Sequence, residues 1–162
     1  MSTDEPRNVL PAGAAAPEFT LFSTPTEQLG LRSFRGRPLV LAFYPADWSP
    51  VCGDQMALYS QITPIFDEYG AAVLGISVDG VWSHQVFVEA RKLRFPLLSD
   101  FEPKGEIARR YGAYDYRVGC AQRALFVVDG NGTITWSFLS PPELNPGADG
   151  ILDALDALKK RG

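Results

Sequence analysis

The stretch FYPADWSPVCGDQ, Phe43 to Gln55, gathers the residues with the clearest chemical potential. Cys52, one of two cysteines in the chain, follows two prolines, Pro45 and Pro50, and a small hydroxyl, Ser49. A cysteine acts as a nucleophile only as a thiolate, so its surroundings decide whether it is reactive or inert. Most free cysteines simply pack as small buried hydrophobes. The context of Cys52 argues against that reading. The run Pro38–Phe43 is continuously apolar, as in a strand buried on both faces of a sheet. From Val51 the apolar spacing becomes helical through Met56, Leu58, Tyr59, Ile62, Ile65 and Phe66. Cys52 therefore belongs to a strand-to-helix turn. Ligands bind at the carboxyl ends of strands in open α/β sheets. A helix start also offers unpaired N–H groups and the positive end of the dipole. Both favour a thiolate.

The rest of the chain supplies the frame. Phe19–Pro45 reads as short strands around turns, ending in the stronger Pro38–Phe43 strand. Pro64 predicts a kink, or a helix in two pieces, within Val51–Tyr69. A second buried strand follows at 71–79. A helix over 83–93 starts at the cap candidate Ser83, and 95–100 is a short strand. A helix over 103–112 has Pro103 near its start and Gly112 after its end. Arg123–Leu139 is a hairpin around a Gly/Asn-rich turn. The 147–161 segment is an amphipathic helix with its basic residues at the end the dipole favours. Alternating strands and helices of this kind imply a central mixed β-sheet with helices on both faces, an α/β architecture of the thioredoxin-like type. The Ala/Pro-rich residues 1–17 are expected to be loosely ordered, and 18–162 to form one domain.

The bulk properties narrow the function. A chain of 162 residues with 46% hydrophobic content has enough material for one sizeable core. The net charge of −4 and the scattered basic residues give no nucleic-acid footprint. No apolar run approaches the ~20 residues of a membrane span. The N-terminus lacks the pattern of a secretory signal, so a cytoplasmic location is expected. There a permanent disulfide is disfavoured and a catalytic one is possible. Two cysteines and one histidine are too few for a typical structural zinc site; neither metal nor cofactor is expected.

With Pro45, Ser49 and Cys52 in the spacing P-x-x-x-[TS]-x-x-C, the chain resembles the peroxiredoxins, the alkyl hydroperoxide reductase and thiol-specific antioxidant family. The resemblance extends to VLGISVDGVWSH, RKLRFPLLSD and RALFVVDGNGTI, in that order, and covers roughly residues 8–160. It implies an enzyme that reduces hydrogen peroxide and organic hydroperoxides, with Cys52 attacking one peroxide oxygen. It further implies that Ser49 bonds the peroxide, Arg123 holds the thiolate and polarises the oxygens, and Pro45 shields the pocket. Backbone N–H groups near Val51 and Cys52 would point at the substrate. Gln55 stands where many relatives carry Glu and is a candidate partner of Arg123. Tyr44 and Trp48 read as pocket wall or core, and His84, the single histidine, as a structural residue.

Peroxide reduction leaves a sulfenic acid that must be resolved. Family members place a resolving cysteine near the C-terminus, five residues past the nucleophile, or just before the histidine that opens the third helix. This chain has no cysteine after Cys120, and holds Ala57 and Ser83 at the other two positions. Cys120 itself reads as a small buried residue, with a resolving role as the alternative. The resemblance thus implies a one-cysteine peroxidase recycled by an external thiol: thioredoxin, glutaredoxin or a low-molecular-weight thiol. It also implies a homodimer paired through the residues around FYPADW and AYDYRV. A peroxide sensor or redox-dependent interaction protein would use the same pocket. A disulfide oxidoreductase is disfavoured, because Gln55 occupies the second position of a C-x-x-C pair.

Overall fold

The structure is a computed structural model that describes residues 9–161. Its centre is a seven-stranded mixed sheet. The strands are β1 (Thr20–Phe22), β2 (Gln28–Gly30), β3 (Leu39–Phe43), β4 (Ala72–Ser77), β5 (Leu97–Ser99), β8 (Ala124–Val128) and β9 (Ile134–Leu139). Between them lie α1 (Pro50–Gln61), α2 (Thr63–Glu68), α3 (Val81–Arg91), α4 (Glu106–Arg110) and a small hairpin, β6 (Tyr114–Asp115) with β7 (Cys120–Ala121). The chain closes with α5 (Asp149–Arg161). The sheet order is β2-β1-β5-β4-β3-β8-β9. β3, β4 and β5 run parallel, β8 pairs antiparallel to β3, and β9 to β8.

The continuous apolar runs are explained by burial on both faces. Alternate residues divide between two cores. Leu39, Leu41, Phe43, Leu74, Ile76, Phe126 and Val128 pack with Ile107, Ala108 and Tyr111 from α4 and its C-terminal end. Val40, Ala42, Val73, Leu97, Leu125 and Val127 pack with α1, α2, Phe87 of α3 and Ile151 and Leu155 of α5. Phe43, Tyr111 and Phe126 form a ring cluster with centroids 5.1–5.7 Å apart. Each such fully buried side chain contributes about 1.5–3 kcal/mol relative to exposure. This rigid centre ends in the turn that carries Cys52.

Pro64 does divide the helix: α1 stops at Gln61 and α2 restarts with Pro64 in its first turn. The third helix departs from expectation. It begins two residues earlier than Ser83, with Gly80 at its N-cap and His84 N–H donating to Gly80 O at 3.1 Å. Ser83 is therefore not the cap; its hydroxyl donates to Asp47 instead. The β6–β7 hairpin carrying Cys120 was not anticipated. Of the stretch expected to be loosely ordered, residues 1–8 lie outside the described residues. Residues 9–17 are tied to the fold by Leu10 N–H to Tyr111 O, Gly13 N–H to Ile134 O and Ala16 N–H to Gly132 O. No helix among the described residues is long and apolar enough to cross a membrane.

Candidate active site

β3 delivers the chain to Tyr44 and Pro45 at the sheet's edge, and α1 begins at Pro50, whose missing N–H and fixed φ suit the first helical position. Ser49 is the N-cap residue. Its carbonyl accepts Gly53 N–H at 2.8 Å, but its hydroxyl makes no capping bond. The carbonyl starts the helix, and the hydroxyl is not spent on capping it. Val51 and Cys52 lie in the first turn of α1, where N–H groups have no acceptor one turn back. Gly53 lets α3 approach closely: a Cβ there would lie 2.5 Å from Arg91 Nη2.

Cys52 is fully buried. Arg123, just before β8, is only 1% exposed, and β8 runs antiparallel to β3, which brings it beside the turn. Arg123 Nη1 donates to Cys52 Sγ at 3.3 Å and to Gln55 Oε1 at 2.7 Å. Nε and Nη2 both donate to Pro142 O, at 3.1 and 2.8 Å. Four of the five N–H donors of the fork are therefore engaged, and its direction is fixed. None of these acceptors is a carboxylate. Among the described residues, Cys52 is the only hydrogen-bond partner of Arg123 that can carry a negative charge.

Behind Gln55 the donors run in one sense. Gln55 Nε2–H donates to Tyr59 Oη at 3.0 Å, and Tyr59 O–H donates to Gly147 O at 2.9 Å. Burial pushes the Tyr59 hydroxyl up to about 12, so it remains a donor throughout the neutral range. Gly147 adopts φ +67, a left-handed conformation that glycine tolerates without a Cβ clash. The loop after β9 thus fastens the site twice, through the carbonyls of Pro142 and Gly147. Sequence reasoning missed both, since backbone carbonyls carry no sequence signal; Tyr59 was assigned only to the helix's apolar face.

The other residues are placed as follows. Pro45 lines a cleft of about 510 Å³ with Val118, Cys120, Leu139, Pro141 and Pro142 among its walls. Cys120 is half-buried on β7 rather than a fully buried filler, because the short hairpin leaves one edge of it facing this cleft. Burial, then the charge of Asp115 and of Cys52, pushes the Cys120 thiol up. Both cysteines are free. Tyr44 is buried and donates to Asp47, as expected of core. Trp48 is neither pocket wall nor core: it is 52% exposed and meets Phe87 edge-on at 5.1 Å. His84 is buried between Asp47 and Leu98 O.

Comparison with known proteins gives a consistent picture. The AhpC/TSA family model matches residues 12–137. Peroxiredoxin 2 of Thermoplasma acidophilum is 30% identical over 153 residues, 91% of this chain and 75% of that protein. Alkyl hydroperoxide reductase E of Mycobacterium tuberculosis is 33% identical over 135 residues, 83% of this chain and 88% of its own length. Among solved structures, AhpC of Mycobacterium tuberculosis superposes with a TM-score of 0.84 at 25% identity, covering 95% of this chain and 96% of its own.

Proposed function

The chain belongs to the AhpC/TSA family of peroxiredoxins and is a thiol-dependent peroxidase, and from that premise we propose that Cys52 is its peroxidatic nucleophile. The observation that carries this is the Arg123 Nη1–Cys52 Sγ contact inside a buried pocket where, among the described residues, the guanidinium's other hydrogen-bond acceptors are neutral oxygens. The Cys52 thiolate attacks the terminal oxygen of the hydroperoxide. An S–O bond forms, the O–O bond breaks, and the electron pair leaves with the alkoxide or hydroxide, which takes up a proton. Thiolate formation alone is a weak accelerator, because nucleophilicity falls as the thiol becomes more acidic. Most of the rate comes from alignment and from donors aimed at the lengthening O–O bond. Those donors are Arg123, the Ser49 hydroxyl and the first-turn N–H groups of Val51 and Cys52. Pro45 closes one side against water. Gln55 holds Arg123 without neutralising it. Peroxide consumption many-fold above enzyme concentration, sustained only with a thiol reductant, tests the catalytic reading; a single equivalent consumed would mark a sensor.

The Cys52 sulfenic acid is returned to the thiol by an external thiol: the first forms a mixed disulfide with loss of water, the second releases Cys52. Cys120 shares the cleft lined by Pro45, but its chemistry supports this one-cysteine cycle. Its thiol is held protonated by burial and by Asp115, so it is a poor attacking group at neutral pH. Cys120→Ser is expected to keep most of the turnover with dithiothreitol or a thioredoxin-type reductant. Peptide mapping after one equivalent of peroxide should show Cys52 oxidised and Cys120 free; a stoichiometric Cys52–Cys120 crosslink would make Cys120 the resolving residue.

Two copies are proposed to pair through the residues around Trp48 and around Tyr116 and Val118, all three more than half exposed. Sedimentation across micromolar concentrations should give a dimer, and a monomer throughout would remove this pairing. Free thiols on both cysteines suit a reducing, cytoplasmic setting.

A further inference from the structure

We propose that the buried Asp47–His84 pair is the strut that sets the Pro45–Ser49 loop, and that His84 is thereby a positioning residue for the reaction at Cys52. The inference rests on the peroxidase reading above for its kinetic consequence, though not for its geometry.

Asp47 sits in the middle of the loop, with its side chain fully buried. Its carboxylate has three hydrogen-bond partners, one just past β3 and two on α3. Tyr44 O–H, just past β3, donates to Oδ1 at 2.7 Å. Ser83 O–H and His84 Nδ1, both on α3, meet Oδ2 at 2.9 and 2.8 Å. The Asp47 N–H donates to Asp79 Oδ2 at 2.9 Å, and that oxygen also accepts Ser77 O–H at 2.5 Å. The loop is thus pinned by backbone and side chain to β3, to the residues after β4 and to α3. His84 carries the pinning one step deeper. Leu98 O, 3.0 Å from Nε2, can only accept, so Nε2 bears a proton and points it into β5. The ring is a spacer of fixed length between the sheet and the loop.

The next residue shows why such a spacer is needed. Trp48 has φ +70, a left-handed conformation that a bulky residue seldom adopts. Strained backbone persists only where its surroundings over-determine it. The Trp48 ring, half exposed and touching Phe87 only edge-on, does not supply that constraint. The anchored Asp47 on one side and Pro50 on the other do. Between them lies Ser49, whose carbonyl starts α1 and whose hydroxyl is not spent on the cap. Relaxation at Trp48 therefore swings Ser49 relative to Cys52.

Two isosteres separate positioning from mere packing. In His84→Asn the amide nitrogen falls where Nδ1 was and keeps the donor to Asp47, while the bond to Leu98 O is lost. In His84→Gln the nitrogen falls where Nε2 was, keeps Leu98 O and abandons Asp47. Since small misplacements near reacting groups cost on the order of 10–100-fold, kcat/KM for hydrogen peroxide is expected to fall by about that factor in His84→Gln. It should stay within a few-fold of the parent in His84→Asn. Trp48 emission, read in a Trp82→Phe/Trp136→Phe background, should shift in the Gln variant only. Equal losses in both variants, or an unshifted Gln variant, would overturn the proposal. If neither folds, Ser83→Ala removes one of the three hydrogen-bond partners of Asp47: a several-fold slower reaction with shifted Trp48 emission supports the strut, and an unchanged protein refutes it. The emission arm repeated in Cys52→Ser reports on the loop alone, so it stands even if Cys52 is not the nucleophile.

Discussion

Cys52→Ser is expected to reduce peroxide at no more than the uncatalysed rate, with the fold intact. The substitution changes one atom in a buried position, and Arg123 Nη1 can donate to the new hydroxyl as it does to Sγ. What is lost is the anion: a serine hydroxyl does not ionise near neutral pH without a general base, and none of the groups bonded to this pocket is one. The acceptors bonded to Arg123 beside the thiol are a backbone carbonyl and a side-chain amide, and neither is a base at neutral pH. The measurement is steady-state peroxide consumption with excess reductant, alongside intact mass after one equivalent of peroxide. The parent should gain one oxygen and Cys52→Ser none. Repeating it in Cys120→Ser removes the second thiol as a source of residual activity. Turnover that survives in the double variant would sink the assignment of Cys52.

How far the sequence carried this site depends on what each contact is made of. The strand-to-helix turn was legible because a continuous apolar run and a helical spacing meet at Cys52. The mixed sheet with helices on both faces followed from the same patterning. Arg123 and Gln55 were named from family resemblance; they lie within hydrogen-bond reach of each other, and Arg123 also reaches the thiol. The contacts that hold them were not legible. Pro142 O and Gly147 O are backbone atoms on a loop after β9, which any sequence could supply and only the fold can aim. The Ser83 cap was misread for a related reason. A serine near a helix start is a generic signal, but here Asp47 competes for its hydroxyl from a loop distant in sequence, and the N-cap position falls on Gly80, which has no side chain to cap with. Trp48 read as pocket wall or core; its backbone takes a positive φ and its side chain is half exposed.

The same contacts explain why the arginine's role is more than attraction. A guanidinium in a buried pocket is costly unless its N–H groups are bonded, and desolvation is best offset by a paired anion. Here the N–H groups are satisfied by two neutral oxygens, and the charge is left to Cys52. An anion forming on sulfur, and then charge spreading along sulfur and two peroxide oxygens, keeps facing the same fixed fork. Little reorganisation is needed as the charge moves, which is the condition for electrostatic stabilisation of a transition state.

Arg123→Ala should therefore slow peroxide reduction by about 10²–10³-fold, the usual cost of removing one preorganised donor from developing charge. Two effects contribute to that number and they separate with pH. A counter-ion acts only through the thiolate fraction, and at pH 7 the whole gap between an ordinary thiol and a fully ionised one is about 30-fold. This part disappears in alkaline solution, where the thiol ionises without help. Loss of a donor to the lengthening O–O bond remains at every pH. The rate of peroxide reduction, normalised to thiolate absorbance and followed from pH 6 to 10, should leave a residual deficit of at least tenfold on the alkaline plateau. Arg123→Lys sharpens the test. It keeps a cation but not the fork, so it cannot hold Pro142 O twice and still reach Cys52 and Gln55. It should restore much of the thiolate fraction and little of the plateau rate. Stability must be followed in parallel, because either variant leaves Pro142 O and Gln55 Oε1 short of donors, at about 1–3 kcal/mol for each acceptor left unpaired. If the normalised rate of Arg123→Ala reaches the parent plateau at high pH, the arginine is a counter-ion only, and the burden of stabilising the breaking O–O bond passes to Ser49 and the first turn of α1.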